Sequence, residues 1–238
     1  MKKLILLAIS CAVLHAQFVG VGSRKIMTPA PPPPPGGKVL ISHAFAAGTG
    51  TATTSAINCA GANLAVMVIS DYGILATADT PSSSPANTWV ALGNSQNGAG
   101  NVAIWYAKNA TVNGSMTFHT LGNYPMAMAM CWSNADTSAP FDQQAQSGAA
   151  TGTTCQAGSI TPGVDGEVII AGFTTLQTSL GTVSLDSGFT KLDTNPFNSG
   201  TSIGGGDGYL IQPTAGAVNP QWTVSTETGY ACTIASFK

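Results

Sequence analysis

Any acid–base chemistry in this chain must pass through very few side chains. The sequence holds three histidines, two glutamates (Glu167 and Glu227) and eight aspartates. His15 falls in an N-terminal apolar run, which leaves His43 and His119. A Ser-His-Asp arrangement would need one of these two. No G-x-S-x-G elbow accompanies them, and serine is too frequent for closeness in sequence to carry weight. His119 reads as a solvent-facing strand residue. Glycoside hydrolysis needs two opposed carboxyls. Asp142, Asp165, Asp186, Asp193 and Asp207 instead read as turn residues. The expectation is a protein without enzymatic activity.

Binding chemistry has more to work with. Asp207, within the glycine run 204–208 that precedes a strand at Tyr209, could offer oxygen ligands to Ca2+ together with loop carbonyls, as could Asp71 with Asp79. No spaced Asp-x-Asp-x-Asp motif supports either, and turn-making competes with both. The turn-rich stretch 71–87, with Pro81 and Pro85, reads as an exposed loop. Tyr72 and Trp89 flank it, and Asp71 and Asn87 place polar groups beside them. A flat aromatic next to Asp and Asn suits a neutral polar ligand such as a glycan, and the scarcity of Lys and Arg disfavours an anionic one. The competing role for Trp89 is to anchor its loop to the core. Trp132 and Trp222 are expected to be core residues.

These side chains must be positioned by strands. Val102, Ile104 and Tyr106 alternate with Ala103, Trp105 and Ala107, and Met126, Met128, Met130 and Trp132 alternate with Ala127, Ala129 and Cys131. A period of two signals half-buried strands. Asn113-Gly114 and Gly122-Asn123 supply turns between the runs. About one hundred residues later the spacing recurs. Val112, Asn113, Met116, Thr117 and Phe118 parallel Val218, Asn219, Trp222, Thr223 and Val224, and Tyr124 parallels Tyr230. Segment 64–70 parallels 167–173, and Trp89 and Leu92 parallel Phe189 and Leu192. The expected fold is an all-β, antiparallel jelly-roll or Greek-key β-sandwich of two pseudo-symmetric half-units. Segment 139–153 is expected to join them.

Residues 1–16 read as a secretory signal peptide: Lys2 and Lys3, an apolar run to Leu14, and cleavage after Ala16. Lipoprotein processing at Cys11 is the alternative. Residues 17–37 form a linker in which Pro31 to Pro35 favour a stiff polyproline II spacer. The domain over 38–238 carries Lys38, Lys108, Lys191 and Lys238 against ten carboxylates, a net charge of −6. That excludes a nucleic-acid interface, which needs a basic face, and electrostatic docking on anionic membranes. No transmembrane segment is expected. Four cysteines remain beyond the signal, which permits two disulfides in any of three pairings. Cys59 and Cys155 both precede matching strands, which favours Cys59–Cys155, with Cys131 and Cys232 as the other pair or as buried thiols.

Four segments, NTW at Asn87, YAKN at Tyr106, SPANTW at Ser84 and the closing YACTIASFK, resemble the texture of secreted jelly-roll sandwich domains of bacterial surface proteins and phage fibres. The resemblance spans 38–238 and carries over no functional residue. It implies a secreted, non-catalytic module for adhesion or glycan recognition. The alternative is a structural subunit that self-associates through its sheet edges, and a hydrolase with an unrecognised site comes third.

Overall fold

The computed structural model describes residues 37–73, 80–97, 100–176, 181–186, 188–198 and 202–238. The signal peptide, nearly all of the linker and Asp79 lie outside them. The described residues contain strands and turns but no helix, so none is long and apolar enough to cross a membrane. The first half contributes β1 (Val39–Ala47), β2 (Thr51–Thr53), β3 (Leu64–Tyr72), β4 (Ser82–Ser84), β5 (Val90–Asn97), β6 (Gly100–Lys108), β7 (Thr117–Leu121) and β8 (Met126–Ser133). The second contributes β9 (Phe141–Gln156), β10 (Val168–Thr175), β11 (Val183–Leu185), β12 (Thr190–Asn198), β13 (Ser202–Ile211) and β14 (Gln221–Phe237).

Every pairing is antiparallel. The first half makes a sheet in the order β1-β8-β3-β6-β5 and a ribbon β2-β7-β4. The second makes β9-β14-β10-β13-β12. There the start of β14 pairs with β11 and with the end of β9, as a continuation of the same long strands.

Burial explains the alternation in the sequence. In β3, Leu64, Val66 and Val68 face a core shared with Val168, Ile170 and Phe237 of the other sheet. Ala65, Met67 and Ile69 face a second core with Met116 and Phe118 under the ribbon. β8 is likewise buried on both sides from Met126 to Trp132. The expectation of half-buried strands is corrected: large and small apolar residues alternate here, not apolar and polar ones. A sheet covered on both faces has no polar side to show.

Three further expectations change. Segment 139–153 is no connector but most of β9, hidden by its polar sequence. As an edge strand it is laddered to β14 on one side only, so few apolar residues are required. Gly204 to Gly208 lie inside β13 rather than before it. A Cβ at Gly205 would run into Ser70 Oγ and Met126 Cε, and one at Gly206 into the Phe173 ring, so close approach explains the glycines. Finally, Leu64 shares its core with Val168, not with Glu167, so the proposed match of 64–70 to 167–173 sets residues of opposite facing against each other. A one-residue slip exchanges the faces of a strand.

The two large sheets pack face to face and are tied at both edges. β5 lies against β9, where Gly93 N–H donates to Gln144 Oε1 at 3.0 Å and Ser95 Oγ donates to Ser147 O. β1 meets β12 through His43 Nδ1 and Asp193 Oδ2 at 3.2 Å. The disulfides are Cys59–Cys131 and Cys155–Cys232, with Cα separations of 5.6 and 6.2 Å. The Cys59–Cys155 pairing is therefore wrong. Cys59 belongs to the outer core of the first half and Cys155 to that of the second, with both large sheets between them. Packed sheets alone stand about 10 Å apart, beyond the span of a disulfide. Two disulfides agree with an oxidising, extracellular location.

Candidate functional site

The residues first suggested as a glycan platform are not brought together. Tyr72 pairs with Gly100 and Val90 with Tyr106, so Tyr72 and Trp89 lie at opposite ends of β6. Six residues of strand separate them, about 20 Å. They also differ in facing: Tyr72 packs against the core between the sheets, Trp89 against the one under the ribbon.

Each has local work. The Tyr72 ring meets Tyr124 edge-on at 6.0 Å, and the Trp89 ring meets Phe118 at 6.2 Å. Trp89 Nε1 is buried without a hydrogen bond. Asp71 is buried, and its carboxylate accepts the N–H groups of Tyr72, Asn123 and Tyr124, which fixes the β7–β8 turn. Asn87 clamps its loop to Thr111, accepting from Thr111 N–H at 2.7 Å and donating to Thr111 O at 3.0 Å. Polar groups so engaged are poorly placed to recognise a ligand. These contacts anchor the segments that carry the four residues.

Asp207 is also corrected. It is a β13 residue, wholly buried, whose Oδ1 accepts Asp193 N–H at 2.9 Å across the bulge in β12. Burial, with the Asp193 carboxylate beside it, holds its pKa well above the ordinary 3.8. A carboxyl enclosed within the sheet and already bonded to backbone offers little to a Ca2+ ion from solvent. No group of three or more His, Cys, Asp or Glu side chains among the described residues is spaced to hold a metal. Below its ordinary pKa the group is protonated whether folded or unfolded. As pH rises above that value the unfolded chain ionises first, so Asp207 progressively destabilises the fold. Asp207→Asn keeps an acceptor for Asp193 N–H and removes this penalty. Urea unfolding should show the variant equal to the parent at pH 3 and more stable at pH 7; equal stability at both would contradict the burial argument.

Of the histidines, His119 on β7 is half-buried and bonds Thr51 Oγ1 at 2.9 Å. His43 Nδ1 lies 3.2 Å from Asp193 Oδ2, and no hydroxyl or thiol among the described residues bonds to its other ring nitrogen.

A different place collects charge. At one end of the sandwich both halves finish around a cavity of about 350 Å3. It is lined by Lys38, just before β1; by Asn134, Ala135 and Asp136, after β8; by Val164 and Asp165, before β10; and by Lys238, after β14. That volume is within the range of small-molecule sites. Asp136 Oδ1 accepts Ser138 N–H and Oγ–H, both at 2.7 Å, and Ala139 N–H at 3.1 Å. These bonds, the Ala139 N–H foremost, hold its pKa at about 2. Lys238 Nζ pairs with Asp142 Oδ1 at 3.0 Å. Burial alone would raise the pKa of Asp142, but Lys238 and the Gly163 N–H keep it low. Behind them Glu167 is wholly buried, its pKa raised by desolvation against the Val164 N–H bond to Oε1. Lys38 is also buried.

Sequence reasoning missed this cavity because its walls come from four chain positions far apart. The one signal available was the placement of charges at strand ends in a chain that has few.

Fold and site together define an all-β antiparallel sandwich with one disulfide in each half and, at one end, a cavity lined in part by charged residues. No protein-family model matches the chain, and no curated protein or solved structure is detectably similar to it.

Proposed function

We propose that this protein is an exported, non-catalytic recognition module that binds a glycan in the end cavity. The carrying observation is the cavity itself, which is large enough for a small ligand and walled by Lys38, Asn134, Asp136, Asp165 and Lys238. Such a mixture of donors and acceptors suits a hydroxyl-rich ligand. The ionised state of Asp136 and the Lys238–Asp142 pair favour binding over acid–base catalysis, which needs a group that exchanges protons near the working pH.

The fold reading belongs with this proposal. The domain is taken as one jelly-roll or Greek-key sandwich built from two pseudo-symmetric half-units. In its support, β1-β8-β3-β6 faces β2-β7-β4 in the first half, with β1 to β4 alternating between the two layers. In the second half β9 and β14 each run through both layers as one strand.

Glycan-array binding by the full chain tests the function. The parent should bind at least one glycan class. Val164→Trp, which adds bulk at an exposed cavity wall, should abolish binding. Trp89→Ala should retain it while losing roughly 2–3 kcal/mol of stability. Loss of binding in a folded Trp89→Ala, with retention in Val164→Trp, would return the site to the first loop.

One observation favours self-association as a second reading. The edge strand β1 exposes Val39 (48%) and Ile41 (37%), and an apolar edge can template pairing with another chain. Concentration-dependent sedimentation abolished by Ile41→Lys would support it.

A further inference from the structure

Two of the domain's four lysines line the end cavity, although the domain as a whole is acidic. The polar side chains of the lining differ in what they have left to offer. Asp136 Oδ1 is occupied by Ser138 and Ala139. Asp165 Oδ1 accepts Ala215 N–H at 2.6 Å. Asn134 Nδ2 donates to Gly37 O at 3.0 Å. Lys238 is paired with Asp142. Lys38 is the exception. It is 7% exposed, lines the cavity, and makes no hydrogen bond and no ion pair among the described residues. Its charge is answered only from a distance: burial lowers its pKa, and Glu167 and Asp136 push it partly back.

Most of the side chain is buried, while its ammonium reaches the cavity with no protein acceptor, which leaves it open to an anionic oxygen. We propose that Lys38 is the specificity residue of the cavity and pairs with a carboxylate on the ligand, so that the glycan recognised is an acidic one, carrying a uronic-acid-type sugar. This rests on the glycan reading given above and replaces the neutral ligand expected from overall composition. Overall charge governs approach to the domain, whereas an enclosed ammonium governs what is held there. The hydroxyls of such a sugar would meet the remaining acceptor capacity of Asp136 and Asp165. The side chain of Lys238, partly exposed, is already paired with Asp142.

The test is calorimetric titration of the full chain with four probes: glucuronic acid, its methyl ester, glucose and acetate. Glucuronic acid is expected to bind at least about tenfold more tightly than the ester or glucose, and Lys38→Met to remove that preference. Lys38→Met should fold, because it replaces an unanswered charge with an apolar chain of similar length. Lys191→Met serves as control, since Lys191 donates to Val183 O in the second half. Equal binding of glucuronic acid and glucose, unchanged in Lys38→Met, would overturn the role of Lys38 and leave the glycan reading standing. Acetate binding as tightly as glucuronic acid, with loss in Lys38→Met, would keep the carboxylate contact and overturn the sugar. No binding of any probe would overturn both.

Discussion

Replacing Cys59 and Cys131 together by alanine should lower the unfolding free energy by about 4 kcal/mol, the entropy expected when a loop of this length is released in the unfolded chain. The two bridges close spans of 72 and 77 residues, so they should be nearly equal in effect. Each lies in a different outer core, which makes their contributions close to additive. The connectivity can therefore be read from stability. Cys59→Ala with Cys131→Ala removes one bridge. Cys59→Ala with Cys155→Ala breaks both, and should cost about twice as much. Denaturant unfolding under oxidising conditions checks this. A Cys59→Ala, Cys155→Ala variant no worse than the first pair would restore the pairing suggested by sequence.

That pairing failed for a reason that also bounds the rest of the sequence reading. Spacing showed that Cys59 and Cys155 stand before similar strands. It could not show that the two large sheets would lie between them, because the stacking order of layers is set by long-range packing. The alternation in 102–107 and 126–132 located β6 and β8 correctly. It did not tell a half-buried strand from one buried on both sides, since alanine stands where a polar residue would mark an open face. β9 escaped because an edge strand needs apolar residues on few positions. Tyr72 and Trp89 are separated by a loop in sequence, yet antiparallel pairing through β6 sends them to opposite ends of the sheet. The cavity inverts this case. Lys38, Asp136, Asp165 and Lys238 are distant in sequence and adjacent in space because the register aligns the start of β1 with the end of β8, and the start of β10 with the end of β14.

The packing of the two halves on each other should depend most on Trp132. Its side chain is wholly buried in the core between the large sheets, and its ring meets that of Tyr209, on β13 of the other sheet, at 5.0 Å and 74°. Trp132→Ala should cost about 3–5 kcal/mol, the usual range for emptying so large a buried site. Trp132→Phe should behave differently. The indole Nε1 is buried with no hydrogen-bond partner, and an unsatisfied donor costs about 1–3 kcal/mol. Phenylalanine leaves a smaller cavity and removes that donor, so the two effects oppose each other and the net loss should stay within about 1–2 kcal/mol. Trp222 provides the contrast. It is equally enclosed and lies 4.3 Å from the Phe173 ring, but in the outer core of the second half. Trp222→Ala should lose as much stability without weakening the contact between sheets. Coupling to Tyr209→Leu separates the two cases: an aromatic pair contributes about 0.5–1.5 kcal/mol beyond its buried area, so Trp132→Ala should show that interaction energy in a double-mutant cycle and Trp222→Ala should show none. If Trp132→Ala lost less than about 1 kcal/mol, the two sheets could not be packed on each other through this side chain.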